Sequence, residues 1–298
     1  MTIGRILSSV PATDNVVFSL INVHHAFALA MLGADQETAV NLAKLIGYDD
    51  DPVECLKQLK HKLDDFAKLD SINQSAGVFV SGQLGLKPDY IESAKKELDS
   101  IIDSINVNDP SASAAKINKW VSAKTDGKID DLIKPDVINA QTLAILMSTT
   151  LFKGQWAEKF ERIDDQTFHG SKGAVKTPFM RLKKKKHFSA FVDDGLTLVG
   201  IPYEDDMMMT IAMPEGDLGA FEAKLKGPNA LVGMMINQCH HQRGDVQVTM
   251  PMFSVKSELN MKDIFTQLGH SKLFDQSIRH NYSRMTDADV FISDAIHQ

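Results

Sequence analysis

Histidines have well-known metal and proton-transfer chemistry, and four of those in this sequence occur as adjacent pairs. His24 and His25 form the first pair, and His240 and His241 form the second. A metal site needs ligands that converge at fixed offsets, whereas neighbouring side chains point in different directions on a helix or a strand. We therefore interpret both pairs as ordinary polar or partly buried histidines, and we predict no metal site.

Serine nucleophiles and phosphate-binding loops have recognisable motifs, and none of them occurs in the sequence. There is no phosphate loop, no glycine-rich dinucleotide turn and no Gly-x-Ser-x-Gly elbow. The segment Gly170-Ser171-Lys172-Gly173 is superficially like an elbow, but its spacing is wrong and it lies in a polar stretch. We therefore predict that the protein is not an enzyme and needs no cofactor.

One run of basic residues could attract an acidic polymer. It consists of Lys183, Lys184, Lys185 and Lys186, in a chain whose net charge is -7. Four lysines in an acidic chain are usually part of a solvated strand or loop, so polyanion binding at this run is the less favoured interpretation. The same net charge argues against a nucleic-acid partner, because phosphate contacts need a basic face.

The composition is that of an ordinary soluble globular protein, with 43% hydrophobic and 24% charged residues. No apolar run approaches membrane-spanning length, so no membrane partner is predicted. Residues 1–10 carry one basic residue and no long apolar stretch, which indicates no secretory signal. Cys55 and Cys239, the only cysteines, fit a reducing compartment. These features predict a cytoplasmic protein, with export by a leaderless route as the alternative.

The segment from Asn15 to Ala34 is the one around which we expect the other elements to pack. From Leu20 to Leu32 it is apolar on almost every side, which is typical of a helix buried all round. Ser19 is a candidate N-cap, and Gly33 is a candidate C-terminal glycine. A fully buried helix this early in the chain requires the later segments to fold around it.

The rest of the first half has mainly helical patterns. Asp51 followed by Pro52 is a typical helix start, and helical spacing of apolar residues continues to Phe66. Further helices are predicted over residues 89–105 and 111–123, and a short strand over 76–80.

The second half has mainly strand patterns. The longest apolar stretch, residues 142–152, predicts a central strand covered on both faces. Other strands are predicted over residues 175–191, 196–203, 207–214, 246–253 and 290–297, with a helix over 261–268 that Asn260 caps. This order lacks regular β-α alternation and predicts an α+β fold with large mixed or antiparallel sheets around the buried helix. Because no linker is visible, residues 1–298 are predicted to form a single domain.

Six groups of residues resemble sequence blocks of the serpin family, and they follow the family order over essentially the whole chain. The groups are Asn15–Ser19 with Leu32–Ala34, Ile117–Val121 with Thr125–Ile129, Phe152–Trp156, Pro202–Tyr203, Met250–Phe253 and Phe291–His297. Six ordered matches make a chance resemblance negligible, so a serpin-like fold is expected.

This resemblance implies a suicide-substrate inhibitor of proteases, usually serine proteases and sometimes cysteine proteases. In such inhibitors the protease cleaves an exposed reactive-centre loop, and the cut loop inserts as an extra strand into the main sheet. A non-inhibitory serpin with a chaperone, carrier or storage role is the alternative, as is an inactive truncated fragment.

In the family, the main sheet parts over the buried helix at a polar cluster called the shutter. The resemblance places Ser19, Asn22, Ser148 and His297 in this cluster. The family commonly has serine where Asn22 stands and asparagine where Ser148 stands. We hypothesise a compensating swap that retains one amide and one hydroxyl.

The resemblance also implies a breach, the place at the top of the sheet where an inserting loop first enters. Gly154, Trp156 and Phe160 match it. Core packing is an equally good interpretation of Trp156 from its residue type alone.

In the family, the strand that matches His297 is followed by a hinge, the reactive-centre loop and the last core strands. The sequence ends at Gln298. We therefore expect the reactive bond to lie outside it, which implies two partners: a target protease and a C-terminal segment of the same protein. The chain alone is expected not to remain folded, because strands that cover apolar surface would be missing.

Overall fold

The computed structural model describes residues 6–7, 9–10, 14–48, 51–139, 142, 144–170, 172–183, 186–193, 195–225, 243–255, 257, 259–274, 281–289 and 296–297. The chain divides into two compact units. We call Phe18–Phe152 with Glu258–Gln298 the helical unit, and Thr2–Val17 with Lys153–Ser257 the sheet unit. That residues 1–298 form one domain stays a prediction. Among the described residues, no helix has the length and apolar character needed to cross a membrane.

Helices predominate in the first half of the chain and strands in the second, which confirms the α+β prediction. The described helices are α1 (Leu20–Gly33), α2 (Gln36–Leu45), α3 (Pro52–Phe66), α4 (Pro88–Leu98), α5 (Pro110–Lys124), α6 (Leu218–Lys224) and α7 (Met261–Phe265). The described strands are β1 (Ile72–Ser81), β2 (Ser100–Ile105), β3 (Ala144–Phe152), β4 (Phe160–Gly170), β5 (Gly173–Leu182), β6 (Lys186–Asp193), β7 (Leu196–Pro202), β8 (Met208–Pro214), β9 (Arg243–Val246), β10 (Thr249–Pro251), β11 (Leu259–Asn260) and β12 (Ile296–His297).

Helix α1 is the predicted buried helix, since ten of its 14 residues are buried. Ser19 is its N-cap, and the Ser19 side chain accepts a hydrogen bond from the backbone amide of Asn22. Gly33 is the last helical residue, and the helix ends at Ala34 in extended backbone rather than in a left-handed turn. A Cβ at Gly33 would lie 2.7 Å from Cβ of Met285, so glycine is needed for a close approach. The N-cap prediction is confirmed, and the C-cap role of Gly33 is wrong.

Residues 89–105, predicted as one helix, form helix α4 and then strand β2. Asp99 separates them, with a φ of 45° in the left-handed region. Strand β2 then pairs in parallel with β1, with Ile101 opposite Gly77 and Ile102 opposite Val78. The isoleucines keep helical spacing, but their β-branched side chains suit a pleated sheet, and pairing with β1 decides the outcome.

The main sheet of the helical unit has the strand order β2-β1-β3. Strand β1 runs antiparallel to β3, and one face of the pair packs on α5. Phe79 and Met147 on that face join Ile117 and Val121 of α5 in a buried cluster. The prediction of a central strand at residues 142–152 is only partly met. Within the described residues β3 pairs with β1 alone and lies at the edge of the sheet.

The sheet unit contains two sheets, with strand orders β10-β5-β4 and β8-β7-β6-β9. Leu182, Ile201 and Met250 are among the buried residues of its core. The strand predicted over residues 175–191 is two strands, β5 and β6. Strand β4 was not predicted, because its mostly exposed, charged residues have no clear alternation of apolar and polar side chains.

Candidate functional site

Asn22 lies in the first turn of α1, on the side of the helix that faces the main sheet. Its side chain is 4% exposed, so its amide needs hydrogen-bond partners inside the protein. Its position is set by Ser19, because Ser19 Oγ accepts from the Asn22 backbone amide at 3.4 Å. The helix start thus presents one buried amide group to the strands.

Three side chains from β1 and β3 donate to the Asn22 amide oxygen, and we call these residues with Asn22 the polar cluster. Ser148 Oγ donates at 3.3 Å and Gln74 Nε2 at 3.2 Å, and Thr150 Oγ1 is the third donor. Ser148 and Thr150 are two residues apart on β3, so they share a face of the sheet. Thr150 Oγ1 also lies 2.9 Å from Gln74 Oε1, and its single hydroxyl proton serves one acceptor at a time. The cluster joins α1 to both β1 and β3.

The hydrogen bonds continue from Gln74 to His25, which is 2% exposed. Gln74 Nε2 lies 3.4 Å from His25 Nδ1. On the other side of the ring, His25 Nε2 lies 2.9 Å from the carbonyl oxygen of Leu98 and 3.2 Å from Ser100 Oγ. These contacts fit the tautomer in which Nε2 carries the proton, donates to Leu98 and leaves Nδ1 as an acceptor. Burial lowers the pKa of His25 to about 4, although the Leu98 carbonyl and the Asp99 carboxylate oppose that shift.

His24 is buried as well, and its ring packs edge-on against Tyr48 with 5.8 Å between centroids. Burial is also the main cause that lowers the pKa of His24 to about 4. Both side chains are therefore neutral at pH 7. From the sequence we interpret the pair as ordinary polar or partly buried histidines, and in the structure both are buried. His240 and His241 lie outside the described residues. Over the ranges that the structure describes, no group of three or more histidine, cysteine or acidic residues could hold a metal ion.

The structure brings together three of the four residues that the resemblance placed in the shutter: Ser19, Asn22 and Ser148. The backbone of His297 pairs with Leu259 between β12 and β11, and its side chain lies outside the described part of the chain. Sequence reasoning missed Gln74 and Thr150. A usable signal existed for Thr150, because two hydroxyl residues at positions i and i+2 interrupt the apolar stretch of β3 on one face.

The three residues that match the breach lie together in the sheet unit. Trp156 stacks on Tyr203, with ring centroids 4.4 Å apart and planes 14° apart, and its centroid is 5.4 Å from that of Phe160. Gly154, Trp156 and Phe160 line the same open depression, whose volume is about 450 Å³. Trp156 and Phe160 also pack against the buried core of this unit, which agrees with the packing interpretation of Trp156. Their role as a breach stays a prediction.

Of the four lysines at 183–186, the structure describes the side chain of Lys183 only. It is 70% exposed, and its ammonium lies 2.6 Å from the carboxylate of Glu161. An exposed ion pair of this kind contributes little energy and offsets the charge that a polyanion would contact. Lys184 and Lys185, and the side chain of Lys186, lie outside the described residues, so polyanion binding stays a prediction.

Solved structures and curated proteins similar to this chain are serpins. A structure entitled "Cleaved Serpin 42Da" matches 99% of this chain and 84% of its own, with a TM-score of 0.83 and 23% identity. Cleaved kallistatin complexed with heparin matches 98% of this chain and 88% of its own, with a TM-score of 0.85 and 19% identity. At these identities, both show the fold alone.

Two curated relatives extend the comparison to sequence. Neuroserpin from Homo sapiens is 26% identical over 302 residues, which cover 96% of this chain and 72% of neuroserpin. Leukocyte elastase inhibitor A from Rattus norvegicus is 25% identical over 304 residues, which cover 98% of this chain and 80% of that protein. The family model described as serpin (serine protease inhibitor) matches residues 2–298, and the chain therefore belongs to the serpin family.

Proposed function

We propose that this chain is the body of a protease inhibitor that works as a suicide substrate, with the main sheet of the helical unit accepting a cleaved reactive-centre loop. Serpins as a family inhibit proteases rather than catalyse reactions, and inhibitors are among the relatives of this chain. The observation that carries the proposal is the polar cluster, in which a single oxygen of Asn22 holds α1 to β1 and β3.

The polar cluster suits a sheet that must open. Its hydrogen bonds can be exchanged for others of similar energy when β3 moves. An inserted strand that replaces these hydrogen bonds would keep the buried Asn22 amide paired. A strand that does not replace them would leave the amide unpaired, which costs free energy.

The proposed insertion takes place beside β3, the strand that carries Ser148 and Thr150 of the polar cluster. Addition of an extended segment at a sheet edge is driven by main-chain hydrogen bonds, so segments with small side chains insert more easily than those with bulky or charged ones.

The proposed partner is a serine protease, with a cysteine protease as the alternative. The description of the matching family model, serpin (serine protease inhibitor), supports a serine protease. Ser19, Asn22, Ser148 and His297 are the proposed shutter residues, and Gly154, Trp156 and Phe160 the proposed breach residues.

Insertion of a synthetic peptide into the purified protein tests this function. A peptide of about 12 residues rich in alanine, threonine and serine is expected to bind slowly and to raise the melting midpoint by about 5–10 °C at a saturating concentration. The control is a peptide of equal length with proline at every second position, since proline cannot donate to the strand ladder. If neither peptide raises the midpoint, or both raise it equally, the proposed insertion is wrong.

A further inference from the structure

A cavity of about 260 Å³ lies within the helical unit, between α3, β1 and the turn that joins α4 to β2. Residues of α1 reach its floor. The volume is somewhat below that of typical drug-sized pockets, so it suits a molecule of about ten non-hydrogen atoms.

The lining of the cavity combines apolar side chains on part of its wall with polar and charged side chains elsewhere. Leu63 and Phe66 of α3, with Ile72 of β1, form apolar wall surface. His25 and Gln74 lie at the floor, where they contact each other and belong to the hydrogen-bond network that reaches Asn22. A ligand in the cavity would therefore have an apolar body and a few polar contacts.

The rim of the cavity is acidic. As far as the structure describes the lining, it has three carboxylates, those of Asp64, Glu97 and Asp99, against one ammonium, that of Lys60. Lys60 is already paired with Asp64 at 3.0 Å, which leaves the other two carboxylates to set the charge. Glu97 has one loose contact, 3.9 Å from Lys96. In the described part of the chain, Asp99 has no ion-pair partner.

From the volume, the apolar wall surface and the acidic rim, we infer that this cavity is a binding site for a small organic cation with an apolar body, such as an arylalkylamine. The ring contacts Leu63, Phe66 and Ile72, and the ammonium lies at the rim beside Glu97 and Asp99. An anion is disfavoured, because Lys60, the cation among the described residues of the lining, is engaged by Asp64. This site is separate from protease inhibition and does not depend on it.

The experiment uses phenethylamine as the probe, with 2-phenylethanol as its neutral isostere and phenylacetate as an anion of similar size. Each is titrated into the 298-residue chain at pH 7, and binding is followed by NMR signals of the His25 imidazole. Phenethylamine is expected to bind with a dissociation constant of about 1 mM, about fivefold more tightly than the alcohol. Phenylacetate is expected to bind most weakly.

Two asparagine substitutions make a matched pair that isolates the charge. Asp99 and Asp126 both have left-handed backbone, with φ of 45° and 48°, a conformation that asparagine tolerates well. Asp99→Asn is expected to reduce phenethylamine affinity about fivefold and to leave the alcohol unaffected. Asp126→Asn, which lies outside the cavity lining, is expected to change neither. Ala67→Phe, which adds bulk at an exposed residue of the lining, is expected to weaken binding of all three probes.

The inference is overturned if phenethylamine does not bind below about 10 mM or binds no better than the alcohol. Equal effects of Asp99→Asn and Asp126→Asn also overturn it, because the rim carboxylate would then have no part in recognition. If Ala67→Phe leaves the affinity for phenethylamine unchanged, the amine binds elsewhere on the protein and the inference is also overturned. Should Ala67→Phe fail to fold, the two asparagine variants still decide the outcome, since both aspartates are exposed.

Discussion

At the scale of single residues, the proposed function depends mainly on the polar cluster. The Asn22 amide oxygen accepts hydrogen bonds from Gln74, Ser148 and Thr150, which lie 52, 126 and 128 residues later in the chain. The Asn22 amide is buried, so removing that amide leaves these donors without this acceptor at a place where water does not replace it. The exchange of amide and hydroxyl between Asn22 and Ser148 can be tested directly, because the two side chains touch at 3.3 Å.

The swap hypothesis predicts non-additive stability changes. Asn22→Ser and Ser148→Asn are each expected to reduce the free energy of unfolding by about 1–2 kcal/mol, because each leaves a buried group unpaired. The double variant is expected to regain more than half of the summed loss in urea titrations. Ser104→Asn, at an exposed position on β2, is the control and should cost little in either background. Strictly additive losses at Asn22 and Ser148 would contradict the swap.

The two buried histidines predict acid destabilisation. Their pKa falls from 6.5 to about 4 on folding, so the unfolded chain binds more protons between these pH values. Their contribution to stability is therefore fully present above pH 6.5 and decreases as the pH falls towards 4, by about 3 kcal/mol for each histidine. His25→Gln is expected to flatten the dependence of unfolding free energy on pH over this window. His61→Gln, at a side chain that is 79% exposed, is the control, and an equal effect of both variants would refute the prediction.

At the scale of elements, α1 is held by close packing at its C-terminal end as well as by hydrogen bonds at its start. The amides of Arg284 and Met285 both donate to the carbonyl of Gly33, at 3.1 and 3.0 Å. This brings the 284–285 backbone against the helix end and leaves no space for a side chain at Gly33. The glycine is therefore a packing requirement of the helix and not its stop signal.

Gly33→Ala is expected to destabilise the protein by about 1–3 kcal/mol, although alanine has the better helix propensity. The reason is the 2.7 Å approach of the new Cβ to Cβ of Met285. Gly85→Ala is the matched control, since no atom lies within 4 Å of a Cβ built there. Denaturant unfolding of the two variants measures the difference. A stabilised Gly33→Ala protein would show that the neighbouring segment moves away freely.

At the scale of the whole molecule, the open question is whether the helical unit and the sheet unit unfold together. The chain has two tryptophans. Trp120 lies in the helical unit, packed against Phe79, and Trp156 lies in the sheet unit, stacked on Tyr203. Each unit thus carries its own fluorescent reporter.

If residues 1–298 form one domain, urea unfolding of the two units, each followed by its own tryptophan, should occur in a single common transition. Trp120→Phe leaves Trp156 alone, and Trp156→Phe leaves Trp120 alone, so urea titrations of the two variants follow the units separately. Each midpoint is compared with that of the same variant measured by far-ultraviolet circular dichroism, which corrects for any change in stability that the substitution causes. Transitions that separate by probe within one variant would mean that the units unfold independently and that the chain has two domains.

Much of the candidate site could be named from the sequence, but not its bonding. The resemblance to serpins supplied Ser19, Asn22 and Ser148, and helix-start chemistry independently supplied Ser19 as the N-cap. Gln74 and His25 could not be assigned, because their partners come from other elements. The acidic rim of the cavity could not be predicted from the sequence either, because it combines side chains of α3 with those at the α4–β2 turn.

The sequence by itself determined features that depend on neighbouring residues and on the total pattern. These include the buried helix α1, the caps at Ser19, Asp51 and Asn260, the helix-rich and strand-rich halves, and membership of the serpin family. Short-range interactions act between residues a few positions apart, so they can be recognised in the sequence.

Only the tertiary structure decided that Ser100–Ile105 is a strand, that Gly33 accommodates Met285, and that one Asn22 oxygen joins two strands. Each of these depends on a contact between distant segments. The energy of such a contact comes from burial and hydrogen bonding in the folded state, which local propensity does not encode.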